Sequence, residues 1–229
     1  MQSTVAEAAA LIVATMRAQG WTKAKAERIA GTLGKPSKMP GRAYGLPATA
    51  CKVGSKLAAV PGSVCHGCYA LKGNYQYPSV QTAQARRLAS LDRPEWEDAM
   101  VFLIADAIAN GAEPFFRWHD SGDLQSVDHA LRIVAIAERL PFVAFWLPTR
   151  EQRVIRSIRE CIPSNLIVRV SAQMIDGAAP SGFAHVSLVH TAAAPSGAYA
   201  CPAQSQGNAC RDCRACWSAN VAAVSYHVH

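Results

Sequence analysis

Seven of the eight cysteines fall into two groups, Cys51 with Cys65-His66-Gly67-Cys68, and Cys201-Pro202 with Cys210, Cys213 and Cys216. A C-x-x-C turn aims two sulfurs at one point and a further cysteine closes the cage, so this spacing is that of metal chelation. Thiolate ligands select zinc or an iron–sulfur cluster over magnesium, calcium or manganese. The C-terminal C-x-x-C-x-x-C with its distant Cys-Pro uses the parts of a bacterial ferredoxin site in another order, which favours iron and sulfide. Zinc sites pair two C-x-x-C hooks or add histidines. The N-terminal group has three cysteines, and three thiolates on a four-iron, four-sulfur cluster leave one iron open to a substrate or cofactor, where four would close it. His66, or Cys201 of the other group, is available as a fourth ligand. Cys161 belongs to neither group and reads as a packing residue.

The elements that must position these groups alternate between helix and strand. Short apolar runs of strand length occur at 115–119, 142–147, 166–170 and 186–189. Helical patterns at 127–140 and 151–162 separate the first three, the order expected of parallel βαβ units in an α/β domain. Two further helices are expected at 79–91 and 94–110. Ligands of parallel α/β folds bind beyond the carboxyl ends of the strands. That rule selects His119, Asp120, Ser121 and Asp123 after the first run, Thr149 and Arg150 after the second, Ser171 and Gln173 after the third, and His190 and Thr191 after the fourth. Of these, His119, Asp120, Asp123 and Arg150 are the catalytic candidates, for substrate contact or proton transfer, and Ser171, Gln173 and His190 the cofactor-binding ones. Asp123 and Ser126 also suit the N-cap of the helix that starts at Val127.

Ahead of this domain, helices are expected at 4–19, stopped by Gly20, and from Thr22 as N-cap to about Leu33. The organisation is then an N-terminal helical hairpin (1–34), an α/β domain with the first cysteine group (35–200), and a C-terminal cysteine-rich segment (201–229). Residues 35–51, with Pro36, Pro40, Gly41, Gly45 and Pro47, read as an extended linker. Half of the 229 residues are hydrophobic and 17% charged, which suits a folded core and excludes disorder. No secretory signal or spanning helix is expected, so the reading is a cytoplasmic protein that is not attached to a membrane. Reduced thiols in that compartment argue against a disulfide framework. The net charge of +7 admits nucleic acid as a partner. Arg150, Arg153, Arg156 and Arg159 recur every third residue and so drift around a helix without forming one stripe.

Several blocks together resemble the mycobacteriophage gene product 88 family: Ser37-Lys-Met, Leu46-Pro-Ala-Thr-Ala-Cys51, Cys65-His-Gly-Cys68-Tyr-Ala, Arg117-Trp-His-Asp-Ser-Gly-Asp-Leu124, Phe145-Trp-Leu-Pro-Thr-Arg150, and Cys201-Pro with the run from Gly207 to Trp217. Cys65 to Ala70 is also similar to a signature of phage proteins related to radical SAM enzymes. The resemblance implies a phage iron–sulfur protein in the host bacterial cytosol with a partial β/α, TIM-like and radical-SAM-like barrel. It further implies a cluster on Cys51, Cys65 and Cys68, with S-adenosylmethionine on the open iron and a possible redox or radical reaction. The cysteine spacing differs from C-x3-C-x2-C, because thirteen residues separate Cys51 from Cys65, and no Gly-Gly-Glu-Pro-like run follows the next strand. Two other functions fit the residues: a zinc-stabilised nucleic-acid-binding protein, and a phage protein with structural clusters that binds a host partner. The sequence names no substrate.

Overall fold

The computed structural model describes residues 2–228. Among them are seven parallel strands, β1 (Arg42–Tyr44), β2 (Phe115–Trp118), β3 (Ala144–Thr149), β4 (Leu166–Ser171), β5 (Val186–His190), β6 (Tyr199–Ala200) and β7 (Ala223–His227). They form one sheet in the order β1-β2-β3-β4-β5-β7-β6. All six pairings are parallel, so every strand presents its carboxyl end to the same edge. The sheet is open and does not close into a barrel; β1 and β6 are its edge strands, and Gly34 bridges the outer side of β1 at Ala43.

The seven α-helices are α1 (Gln2–Ala18), α2 (Lys23–Ala30), α3 (Lys52–Leu57), α4 (Pro78–Ser90), α5 (Trp96–Ala109), α6 (Val127–Arg139) and α7 (Gln152–Ile158). α6 starts where its local chemistry dictates: Ser126 accepts the amide of His129 at 2.9 Å, and the apolar positions Ala130, Ile133, Val134 and Ala137 form one buried stripe. Thr22 caps α2 in the same way, through Lys25 N at 3.1 Å. α5 is apolar nearly all round because it is covered on more than one side: α1 and α2 pack on it, α6 flanks it, and Arg17 of α1 bonds Asp106 at 3.2 Å. No described helix is long and apolar enough to cross a membrane.

Strand alternation divides the core in two. Phe116, Trp118, Phe145, Leu147, Val168 and Val170 face the helices and build the large apolar core. Phe115 and Trp146 face the other way, onto Cys216, Trp217 and Val224 of the C-terminal segment, and Trp217 Nε1 donates to Phe116 O at 3.1 Å.

Four strands lie where the apolar runs place them, with β3 shifted to begin at Ala144. Residues 35–51 are not only a linker, since they carry β1 on the edge of the sheet. β6 and β7 follow the four expected strands, and β7 is an interior one. The helix expected to reach 162 ends at Ile158 and continues as a 3-10 turn over Arg159–Cys161. Cys161 is exposed there, which corrects its reading as a packing residue.

Candidate functional site

Loops beyond the carboxyl edge of the sheet hold the first cysteine group. Cys51 precedes α3, while Cys65 and Cys68 share a turn closed by Cys68 N donating to Cys65 O at 3.2 Å. Two bonds tie these loops to the strand ends: Val53 N to Glu151 Oε1 and Val64 N to Gln173 O, both 2.9 Å. The sulfurs of Cys51 and Cys65 flank Gly54, where a Cβ would stand 3.6 and 3.5 Å from them. A side chain at Gly54 would therefore fill the space between the thiols.

Burial first, then the Asp123 carboxylate and the neighbouring thiols of Cys68 and Cys65, push the Cys51 thiol up to about 12, against the pull of Arg150. Burial also raises Cys65, again opposed by Arg150. Cys51, Cys65 and Cys68 thus form one electrostatic unit with Asp123 and Arg150 beside it. His66 is exposed and its Nδ1 lies 3.0 Å from Ala58 O.

The second group lies on the sheet face away from the helices. Cys201 follows β6 and its amide donates to Ser225 O at 2.8 Å. Cys210 N donates to Lys38 O at 2.8 Å, and Cys213 N to Cys210 O at 2.9 Å. Two tyrosines reach the sulfurs, Tyr226 at 3.1 Å from Cys216 and Tyr199 at 3.6 Å from Cys213. Burial drives Cys216 up to about 12, partly countered by the Tyr226 bond. The thiols acting on Cys201 and Cys210 are those of this group, Cys213 on both and Cys201 on Cys210, so Cys201 belongs here; Arg117 and Arg214 oppose them at Cys210. All seven grouped cysteines are free thiols. Among the described residues no three His, Cys, Asp or Glu side chains converge as ligands of one metal ion.

The strand-end residues divide between several environments. Asp123 accepts from Thr149 Oγ1 (2.6 Å), Leu124 N (2.8 Å) and Arg150 N (2.9 Å), and clamps the ends of β2 and β3 together. Burial raises its carboxyl to about 6 despite those three bonds. Asp120 turns toward Gly45, where a Cβ would stand 2.4 Å from its Oδ1, and this oxygen is buried without a partner. His119 points into the helical core, donates from Nδ1 to Tyr44 O at 2.7 Å, and lies with its ring 5.3 Å from that of His129. Burial lowers His119 to about 4 and His129 well below its ordinary value. Further along the edge, Ser171 and Ser187 share a bond of 2.9 Å, and His190 Nδ1 meets Ser225 Oγ at 2.7 Å. Gln173 is exposed beside an open depression lined also by Gln152 and Met174. Asp123, Thr149 and Arg150 therefore stand with the first cysteine group, whereas His119 and His190 do not.

Two arginines were missed as site residues. Arg169, fully buried in β4, donates to five carbonyls: Ala215 and Val221 at 2.8 Å, Cys216 and Ser218 at 3.0 Å, and Ala222 at 3.4 Å. It thereby seats the loop that carries Cys216. Arg117 of β2 lies over the Trp146 ring at 4.6 Å, and its Nη2 donates to Tyr69 OH at 3.4 Å. Tyr69 follows Cys68 and donates to Asp120 O, while the charge of Arg117 also acts on Cys210 and Cys216. Arg117 therefore stands between the two thiol groups. The available signal was an arginine inside an apolar strand, in Phe-Phe-Arg-Trp and in Leu-Ile-Val-Arg-Val.

An open parallel sheet with thiols gathered at its carboxyl edge and on its helix-free face defines an α/β protein with two cysteine centres. The chain belongs to the Gene product 88 family, a group of bacteriophage gene products, whose model matches residues 14–219. No curated protein and no solved structure matches it.

Proposed function

We propose that this chain is an iron–sulfur protein with a radical-SAM-like partial barrel, and an enzyme whose reaction takes place beside the first cysteine group. Cys51, Cys65 and Cys68 would hold one four-iron cluster, and Cys201, Cys210, Cys213 and Cys216 a second. The observation that carries this reading is the gathering of seven free thiols into two units, with Arg150 beside the first and Arg117 beside the second. Zinc draws its four ligands to one point at about 2.3 Å, whereas a cluster takes each thiolate on a separate iron. The continuous C-x-x-C-x-x-C run with its distant Cys-Pro is likewise closer to a cluster site than to paired zinc hooks.

A cluster with three protein ligands supplies electrons and one open coordination position for a substrate or for S-adenosylmethionine. The chain's own groups have complementary tasks. Arg150 provides positive charge to an anionic ligand near Cys51 and Cys65, and Asp123 holds the Arg150 backbone in place through its amide. A carboxyl raised to about 6 also exchanges a proton near neutral pH.

The test is anaerobic purification followed by iron, sulfide and zinc analysis and electron paramagnetic resonance. A brown protein with broad absorbance near about 400 nm is expected, from charge transfer between sulfur and iron. Replacing Cys210 or Cys213 with serine should remove one of the two clusters. A colourless protein with stoichiometric zinc and no iron refutes the reading.

A further inference from the structure

From Arg28 to Leu91 the chain carries nine Lys and Arg residues and neither Asp nor Glu, while the rest, with fourteen basic and sixteen acidic residues, is close to neutral. The whole positive excess is thus concentrated in one stretch. The ion pairs found among the described residues, from Arg17–Asp106 to Arg214–Glu113, all lie outside it. Cations gathered without carboxylates repel one another, which a protein tolerates where a polyanion supplies the missing charge.

Residues 52–77 of this stretch lie across the carboxyl edge of the sheet, held there by the Val53–Glu151, Val64–Gln173 and Tyr69–Asp120 bonds. Their outer side exposes Lys56 and Lys72 together with Tyr69 (52% exposed) and Tyr77 (59%). Arg28 and Arg86 extend the basic surface into a groove between α2 and α4, with Glu27 at its margin. Large aromatic rings left in water beside unpaired cations are the parts of a single-strand binding surface, where bases stack on rings and cations follow the phosphates. An acidic polypeptide would use the cations and leave the exposed ring faces of Tyr69, which is anchored only at its hydroxyl and ring edge, and of Tyr77 uncovered.

We infer that this face binds single-stranded nucleic acid, with phosphates on Lys56, Lys72 and Arg86 and bases stacked on Tyr69 and Tyr77. The inference does not rest on the iron–sulfur reading, since none of these side chains is a proposed cluster ligand, although Lys56 and Tyr69 share the loops that carry Cys51, Cys65 and Cys68. It is tested with the whole protein as purified, by fluorescence anisotropy of a labelled single-stranded oligonucleotide across a salt series. Affinity should fall with salt at a log–log slope of about −0.7 per phosphate contacted, and Lys56→Gln with Lys72→Gln should flatten the slope by about 1.4. Tyr77→Ala should weaken binding roughly tenfold with the slope unchanged. Arg159→Gln, outside the stretch in the 3-10 turn after α7, should have no effect, and circular dichroism establishes that each variant is folded. Absence of binding at low salt, binding that Tyr77→Ala leaves unchanged, or equal affinity for poly-glutamate overturns the inference.

Discussion

Replacement of Arg169 by methionine is the sharpest test of how the C-terminal cysteine segment is held. The guanidinium is fully buried and makes five hydrogen bonds to the carbonyls of residues 215, 216, 218, 221 and 222. Bonds from a charged donor contribute about 1.5–3 kcal/mol each before the cost of burying the cation is subtracted. That cost is several kcal/mol, so the sum is not additive. Methionine removes the charge but strands the five carbonyls, at about 1–3 kcal/mol for each acceptor left buried and unsatisfied, and subtracting the recovered cost of burying the cation leaves a net loss of about 3–5 kcal/mol. With a urea slope near the upper end of the usual range, about 3 kcal/mol per molar, the midpoint should fall by about 1–1.7 M. The local consequence is as diagnostic as the global one: Cys216, buried in the wild type, should become reactive toward a thiol reagent in native buffer. Lysine keeps the charge but cannot fork to five acceptors, so Arg169→Lys should fall between the two. A midpoint within about 0.3 M of wild type, with Cys216 still unreactive, would refute this account.

Three further outcomes follow from other parts of the molecule. His119 is neutral in the fold, with its pKa lowered to about 4, while the unfolded chain takes up a proton near 6.5. Stability is therefore full above about 6.5 and declines as pH falls toward 4, by about 2 kcal/mol at pH 5 from this residue alone. Urea midpoints at both pH values should show the loss, and His119→Gln should reduce the difference; an unchanged acid slope contradicts the assignment. Gly45→Ala would drive a methyl to within 2.4 Å of Asp120 Oδ1 and 2.9 Å of Ser121 Oγ, so a loss of about 1–3 kcal/mol is expected on thermal unfolding. Cys161→Ser, at an exposed position outside both groups, should leave metal content and melting temperature unchanged.

The fold is legible in the sequence where local chemistry and burial agree. β2 to β5 were legible because strands covered on both faces read as continuous apolar runs, and α6 because its cap and stripe coincide. β1 and β6 are two- or three-residue edge strands, defined by what they pair with. β7 is interior yet reads Ala-Val-Ser-Tyr-His, since Ser225 bonds His190 and Tyr226 reaches Cys216. The grouping of cysteines was legible from spacing, but membership of Cys201 depended on where β6 ends. Arg117 and Arg169 were passed over because an arginine in a strand ordinarily alternates outward to water. Here that outward face is covered by the C-terminal segment, which takes all five Arg169 bonds, while Arg117 reaches past it to Tyr69.

The two cysteine centres consequently differ in what they do for the fold. Cys216 is packed with Trp146, Trp217 and Val224 in the core of the helix-free face, whereas Cys51 lies on a loop tied to the sheet edge by single hydrogen bonds. Metal-binding energy is folding energy where the ligands' segment unfolds together with the core, and a loop held by few bonds can instead open and release its metal before the core unfolds. Cys51→Ser should therefore lower stability by no more than about 1 kcal/mol, while Cys216→Ser should lower it by about 2–5 kcal/mol, in the range of other lost core or metal constraints. Serine retains a polar partner for Tyr226, so the comparison measures the loss of the centre more than the loss of one bond. Urea unfolding of the two variants, each with its metal content measured, provides the test. Equal losses would mean that the edge loops bear as much of the fold as the covered face does, and the distinction between a loosely held and a core-packed cysteine group would fail.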